Sequence, residues 1–528
     1  MATRKDELSA YSFARKRTVA AFLAPSPGGS DEGAPRPLRT IMPSMVVGVV
    51  LVVGCIGWGV IKPTAPKGWD KPGEYIVVDS DSTTRYVVVP DLAADGKKVP
   101  TLHPVLNYAS AKLLLDKDKG KVIEVPGDEI DKSGLPHGAT LGIPYAPDRL
   151  PDADDAEKAK AWAVCERPAS GPGTSVDRGV FVLDAADAKA VTGKGALSPR
   201  EVLYVADSAT GSEYLVDGEG TRFPVGDPEH GDQTGMEQLR TAVMGISPKP
   251  QKVSKEWLAT LNSGGTIAFP EVPDLGRPTE VAGMPDEAGT VGRVLKAQAA
   301  QGTQYYVVLK DRIATVSPFV AELLKGSPDA KQAYPDAEIA DIRVNSQDVI
   351  AANGGQAPGF YQDKGWPEQF PRQANRAVGK AGEGRTTSCS VYKGSVGSDG
   401  KPQLATWAGT AYPKSVIADS LNAFVSSGSG LLFSEVSGAA AGGGATYLLT
   451  DTGLRYSLPV NNDTSAEGNA AAVTGDGESA EASETDKART RLGYEKVAHI
   501  AVVPATWAEF IPKGPTLDTG SASQPQSQ

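Results

Sequence analysis

The stretch Ile41 to Ile61, IMPSMVVGVVLVVGCIGWGVI, constrains this chain more than any other. It carries no charge, and from Met45 onward it is almost wholly Val, Ile, Leu and Gly. At roughly 1.5 Å of rise per residue, about 20 such residues cross a hydrocarbon core of roughly 30 Å. Other apolar runs, such as Tyr305–Leu309, are strand-sized. The sequence therefore predicts a membrane protein with one crossing near its start. A cleaved signal peptide is the alternative. The run is longer than an apolar signal region of roughly 7–15 residues, and the residues after it, Lys62-Pro63-Thr64-Ala65-Pro66, offer no A-x-A-type site.

Charge sets the orientation. Before the span lie Arg4, Lys5, Arg15, Lys16, Arg17, Arg36 and Arg39 against Asp6, Glu7, Asp31 and Glu32. Lysine and arginine favour the cytoplasmic side, so the N-terminus is expected inside and residues 62–528 outside. The whole chain carries −11; with +3 in the arm, the exported part carries −14. That argues against nucleic acid, whose phosphates need a clustered basic surface. Residues 5–23 read as a helix with a loose apolar stripe of Leu8, Tyr11, Val19 and Phe22. It suits either a membrane surface or a docking partner. Pro25 to Pro37 reads as a flexible connector.

After a Pro-rich stalk, one pattern recurs four times: a β-rich run, a turn rich in Asp, Gly or Ser, and a second β-rich run. The first copy holds Tyr75 to Val78 and Arg85 to Val89; the second, Tyr214 to Val216 and Arg222-Phe223. The third holds Tyr305 to Val307 and Arg312-Ile313; the fourth, Tyr447 to Leu449 and Arg455-Tyr456. A helix-like segment follows each, clearest at Pro104–Leu115 and Pro318–Leu324. A short strand then ends at Val125, Val253, Val344 or Val503, ahead of a second helix start. Ser254 and Asn345 suit the N-cap, and Ile130, Trp257, Val349 and Trp507 are the apolar anchors. The unit reads as ββαβα. The unequal intervals between copies exclude a fixed-period solenoid.

The cysteines suggest a higher duplication. Cys55 is inside the span; Cys165 falls between the first and second units and Cys389 between the third and fourth. The segments near 156–208 and 372–440 are expected to pack as one central domain about a pseudo-two-fold axis, where Cys165 and Cys389 can meet and bridge. Outside the membrane such bridges persist. Asn461 to Asp486 and Thr516 to Gln528 are small and polar and read as disordered.

Little here points to catalysis. The histidines His103, His137, His230 and His499 are scattered, without HExxH or paired spacing, so no metal site is expected. No catalytic residue or cofactor is assigned. Gly379 to Thr386 has P-loop spacing, but Arg385 stands where the phosphate-cradling lysine belongs, and the residues after it favour a strand instead of a helix. A Gly-rich surface turn is the plainer reading. The four repeated tyrosines could line a glycan or peptide groove, or pair across their hairpins in a small core.

Several stretches together resemble one family. Arg4-Lys5-Asp6, Tyr11-Ser12-Phe13 and Lys16-Arg17, the single span, Trp69-Asp70-Lys71-Pro72-Gly73, Leu102-His103-Pro104-Val105-Leu106-Asn107 and Ser110-Ala111-Lys112-Leu113 are similar to EccB, a core membrane component of type VII (ESX) secretion systems. The resemblance implies an α+β protein: one N-terminal transmembrane helix, then an elongated periplasmic region of four repeat domains around a central mainly-β domain. It implies a Cys165–Cys389 disulfide, and repeats like the cell-wall-binding units of phage lysins. As partners it implies an EccC-type FtsK-like ATPase, EccD, EccE and a mycosin protease, with homo-oligomers and contact with peptidoglycan also in view. Some members are labelled ATPases; here that label meets only the defective loop. The expected boundaries are 1–40 (cytoplasmic helix and linker), 41–61 (span), 62–72 (stalk), 73–155 (first repeat), 156–208 (central, first part), 209–285 (second repeat), 286–371 (third repeat), 372–440 (central, second part), 441–515 (fourth repeat, interrupted at 461–486) and 516–528 (tail). The expected role is structural, organising the outer face of a secretion channel. The rivals are a cell-wall-binding anchor and a nucleotide hydrolase.

Overall fold

The computed structural model describes residues 3–23, 37–60, 65–93, 95–169, 176–226, 233–245, 248–299, 302–335, 337–353, 355, 358–376, 384–416, 423–437, 444–459 and 484–526. These form two compact units: one of residues 1–67, 80–82 and 124–133, the other holding the rest of the chain. The first unit contains α1 (Arg4–Leu23) and α2 (Pro37–Val60). α2 takes in most of the expected crossing, and its residues Met45 to Val53 are exposed. Among the described residues no helix is long and apolar enough to cross a membrane. The side chains at 37–42, 54 and 56–60 lie outside the described set, as does residue 61.

Beyond α2 the chain builds four small α/β modules and a central sheet, with residues 124–133 of the first module falling in the first compact unit. The first module holds β1 (Tyr75–Asp79), β2 (Arg85–Leu92), β3 (Lys98–Pro104), α3 (Tyr108–Leu114), β4 (Lys121–Val125) and α4 (Gly127–Asp131). The chain continues through α5 (Ala153–Ala156), β5 (Ala161–Pro168), β6 (Val176–Leu183) and α6 (Lys189–Thr192). The second module holds β7 (Glu201–Asp207), β8 (Glu213–Val216), β9 (Thr221–Pro224), α7 (Gln233–Met244), β10 (Gln251–Val253), α8 (Lys255–Ala259) and an edge strand β11 (Asn262–Ser263). The third holds β12 (Val294–Ala299), β13 (Gly302–Val308), β14 (Ile313–Val316), α9 (Pro318–Gly326), α10 (Ala330–Ala333), β15 (Ile342–Arg343) and α11 (Ser346–Ala352). After β16 (Arg372–Gln373), β17 (Thr387–Val396), β18 (Pro402–Gly409) and β19 (Phe424–Val425) comes the fourth. It holds β20 (Leu431–Val436), β21 (Thr446–Leu449), β22 (Arg455–Leu458), α12 (Glu484–Arg491), β23 (Ala501–Pro504) and α13 (Ala505–Ala508), and α14 (Thr519–Ala522) follows.

Each module builds one sheet in the same order, β3-β2-β1-β4, β9-β8-β7-β10, β14-β13-β12-β15 and β22-β21-β20-β23. Two hairpin connections make three antiparallel strands. In the second to fourth modules the closing strand lies parallel to the leading one. A parallel pair needs a crossover, and the helix before each closing strand supplies it. The unit is therefore βββαβα, one strand longer than the sequence predicts. The leading strands β7 and β20 fall inside the segments 156–208 and 372–440 that the cysteine spacing assigns to the central domain. The first copy is also displaced by one strand. Tyr86 pairs with Pro104 as Tyr214 pairs with Pro224, so Tyr86, not Tyr75, is the counterpart of Tyr214.

The anchors Ile130, Trp257, Val349 and Trp507 are all buried. Ser254 caps α8, accepting a hydrogen bond from the Trp257 amide at 3.1 Å. Asn345 stands at the N-cap of α11 but makes no capping bond; its amide donates to Asp348 instead, at 3.1 Å. The modules share cores in pairs. Val202, Tyr204, Leu239 and Val243 of the second pack with Val294, Val307, Phe319 and Leu323 of the third. Ala109 and Leu113 of the first pack with Leu448, Tyr456 and Leu492 of the fourth.

The tail departs from expectation. Composition predicts disorder over 516–528, yet Leu517 and Ala522 are fully buried in the core shared by the first and fourth modules. Asp518 caps α14 by accepting from the Ser521 amide at 2.7 Å. Pro525 bridges Leu141, and Gln526 donates to the carbonyls of Thr140 and Gly142. Two apolar side chains and one cap are enough to order a segment whose remaining residues are polar. The insertion expected at 461–486 lies outside the described residues up to 483, and α12 begins at Glu484.

Candidate functional site: the central sheet and its cysteine pair

The central sheet runs β18-β17-β5-β6-β19. Hairpins β5-β6 and β17-β18 lie side by side, joined antiparallel along β5 and β17 with Cys389 opposite Cys165. An antiparallel seam between two like hairpins is what an approximate two-fold through that cysteine pair generates. In this structure the two sulfurs are bonded, with Cα atoms 4.0 Å apart. Side chains alternate across a strand, so the neighbours of the pair divide between two faces. Ala163, Phe181, Val391 and Trp407 share the cysteines' cluster. Trp162, Val164 and Tyr392 belong to the other, which also takes Trp257 and Trp507.

On that second face the two halves differ. Glu166, fully buried, accepts from the Ser254 amide at 2.8 Å, the Ser254 hydroxyl at 2.6 Å and Arg178 Nε at 2.9 Å. A carboxylate taken out of water needs such a set of donors. Trp257 Nε1 donates to the Val164 carbonyl at 2.9 Å. In the other half Tyr392 donates to the Val502 carbonyl at 2.6 Å and packs on Trp507, ring centroids 5.7 Å apart. Trp507 Nε1 and Ser390 Oγ are buried there without a hydrogen-bond partner. Burial pushes the Tyr392 hydroxyl pKa up, and that of Tyr412 up to about 12. Between the halves, Gln251 donates to the Glu166 carbonyl at 3.2 Å and accepts from Ser388 at 2.8 Å and Asn375 at 3.1 Å. The sequence reading missed Glu166, Ser254 and Arg178 as a group. The available signal was one carboxylate directly after the apolar run Ala161 to Cys165.

The other candidates resolve as follows. Residues 379–383 of the Gly-rich loop lie outside the described set. Arg385 Nε donates to the Ala408 carbonyl at 3.0 Å, and its two terminal nitrogens donate to Glu201 at 2.9 Å and the Gly195 carbonyl at 2.7 Å. Strand β17 follows at Thr387, where a phosphate-binding loop leads into a helix. Three of the repeated tyrosines take a cation over the ring: Arg222 at 5.9 Å from Tyr214, Lys296 at 5.3 Å from Tyr305 and Arg455 at 4.8 Å from Tyr447. These contacts close each hairpin from within the module. His103 is buried, with Nδ1 2.8 Å from the Ala139 carbonyl and Nε2 3.0 Å from Asp91. Among the described residues no group of three or more His, Cys, Asp or Glu could hold a metal ion.

Residues 1–527 match the family described as type VII secretion system ESX-1, transport TM domain B. Among curated proteins, the chain is 29% identical over 332 residues to the ESX-5 secretion system ATPase EccB5 of Mycobacterium marinum, covering 61% of this chain and 59% of that one. It is 25% identical over 522 residues to the ESX-3 secretion system ATPase EccB3 of Mycobacterium tuberculosis, covering 92% and 83%. The chain thus spans about three fifths of the length of the ESX-5 relatives it matches. Its fold is shared with a chain of an intact ESX-5 inner membrane complex, at a TM-score of 0.57 and 20% identity, covering 100% of this chain and 96% of that one. It is shared equally with the EccB3 dimer from an ESX-3 core complex, at a TM-score of 0.56 and 20% identity over 85% and 99%.

Proposed function

The chain belongs to the EccB family of type VII secretion systems, and from that premise we propose that it is a structural, single-pass component of a secretion complex in the inner membrane. The observation that carries the reading is the extent of the family match, which takes in the basic arm, the apolar stretch and all four modules together. In this reading residues 41–61 cross the membrane, the arm before them stays in the cytoplasm, and the modules organise the periplasmic side of the channel. The partners are an EccC-type FtsK-like ATPase, EccD, EccE and a mycosin protease, and the chain pairs with further copies of itself. Its work is to hold components in place. Arg385, the one basic residue of the P-loop-like sequence at its critical position, spends its donors on protein acceptors, which speaks for holding over hydrolysis.

Native purification from cells carrying a tag on this chain tests the proposal. Co-recovery of an FtsK-like ATPase and a many-span membrane partner is the expected result. Recovery of the chain alone, retained on purified cell wall at physiological salt, would overturn it in favour of a wall anchor.

A further inference from the structure

A groove of about 910 Å³ opens beside the start of β7, lined by Ser198, Pro199, Arg200, Met244, Phe370 and Arg372 among others. Its apolar wall is real surface: Phe370 is 40% exposed, an unusual position for a phenylalanine. Its charge runs against the rest of the molecule. Arg372 is 75% exposed, and its guanidinium shares a single carboxylate, Glu201, with Arg385, at 3.0 and 2.9 Å. The other oxygen of Glu201 is taken by the Ser198 amide and hydroxyl at 3.0 and 3.1 Å. Arg200, also exposed, donates to a neutral acceptor, Gln369, at 3.2 Å. The remaining acid in the segment is Glu368, exposed and two residues before Phe370. The guanidinium groups of Arg200, Arg372 and Arg385 thus stand against one half-buried carboxylate, Glu201, and one exposed carboxylate, Glu368, on a chain whose net charge is −11. A cationic groove concentrates segments of the opposite sign.

We infer that this groove docks a peptide segment of another protein that carries carboxylates beside an apolar side chain. The apolar side chain lies on Phe370 and Met244, and the carboxylates meet Arg200 and Arg372. Guanidinium forks suit carboxylates because both present paired, coplanar contacts. An aromatic flanked by arginines is also the residue mixture that dominates binding energy at protein interfaces. The inference goes beyond the assembly reading, since it names the chemistry of an occupant whether or not that occupant belongs to the secretion complex.

A photo-crosslinking side chain placed at position 370 of the full chain in native membranes tests it, with the captured peptide identified by mass spectrometry. The expected result is a crosslink to another polypeptide at a segment with two or more acidic residues beside the captured site. Arg200→Gln with Arg372→Gln should lower the yield about tenfold, and Arg→Lys at both should restore part of it. Both arginines are exposed, so the variants keep the fold, which an unchanged melting temperature verifies. No crosslink, capture of lipid, of an uncharged or basic segment or of this chain's own 461–486, or a yield indifferent to the arginines would each overturn the inference.

Discussion

Two tryptophans in equivalent places are held differently, and the difference is measurable. Trp257 donates from Nε1 to a buried carbonyl, while Trp507 keeps a buried N–H without a partner. Trp257→Phe removes volume and also that hydrogen bond, a further cost of about 0.5–1.5 kcal/mol. Trp507→Phe removes volume and an unpaired polar group together. The denaturation midpoint should therefore fall further for Trp257→Phe, and equal falls would contradict the assignment. Acid sensitivity has its own residue. Lys414 and Ser426, which donate to Asp187 at 2.5 and 2.7 Å, hold its carboxyl below its ordinary value of 3.8. A carboxyl depressed on folding stabilises fully above its unfolded pKa, and that stabilisation is lost as pH falls through the depressed value. Asp187→Asn should flatten the loss of melting temperature below about pH 4, and an unchanged acid limb would show that the contact contributes nothing.

At the level of elements, the tail is the sharpest case. Truncation after Thr516 removes Leu517 and Ala522 from the core shared by the first and fourth modules, and should cost about 2–5 kcal/mol. Limited proteolysis should then cut first within those two modules; an unaltered cleavage pattern would mean that the tail is dispensable. The tail was illegible because composition averages over residues, and burial of two of them decides the outcome. The hairpins were legible because Asp217-Gly218 and Asp451-Thr452-Gly453 signal a turn within a few residues. The crossover helices and the buried anchors after each closing strand were legible for the same local reason. The leading strands β7 and β20 were not. Their apolar runs lie within the cysteine-bearing segments in sequence, and only pairing reveals to which sheet each belongs. Glu166 was illegible as a site because its partners Ser254 and Arg178 come from separate elements.

For the whole molecule, the cysteine seam and the proposed membrane crossing are the two features to test. The Cys165–Cys389 bond closes a loop with a sequence separation of 224 residues. In the chain-entropy model such a crosslink stabilises by about 3–5 kcal/mol, so Cys165→Ser with Cys389→Ser should lower the melting temperature and make it indifferent to reductant. Peptide mapping without reduction that found both thiols free would remove the seam. The central claim is that a short basic arm and a large acidic body lie on opposite sides of one membrane. Protease treatment of intact protoplasts, with tags at both ends of the chain, tests it most directly. The account predicts that the C-terminal tag is lost at once while the N-terminal tag survives on a small fragment holding the arm and residues 41–61. Survival of the modules until the membrane is broken would contradict it.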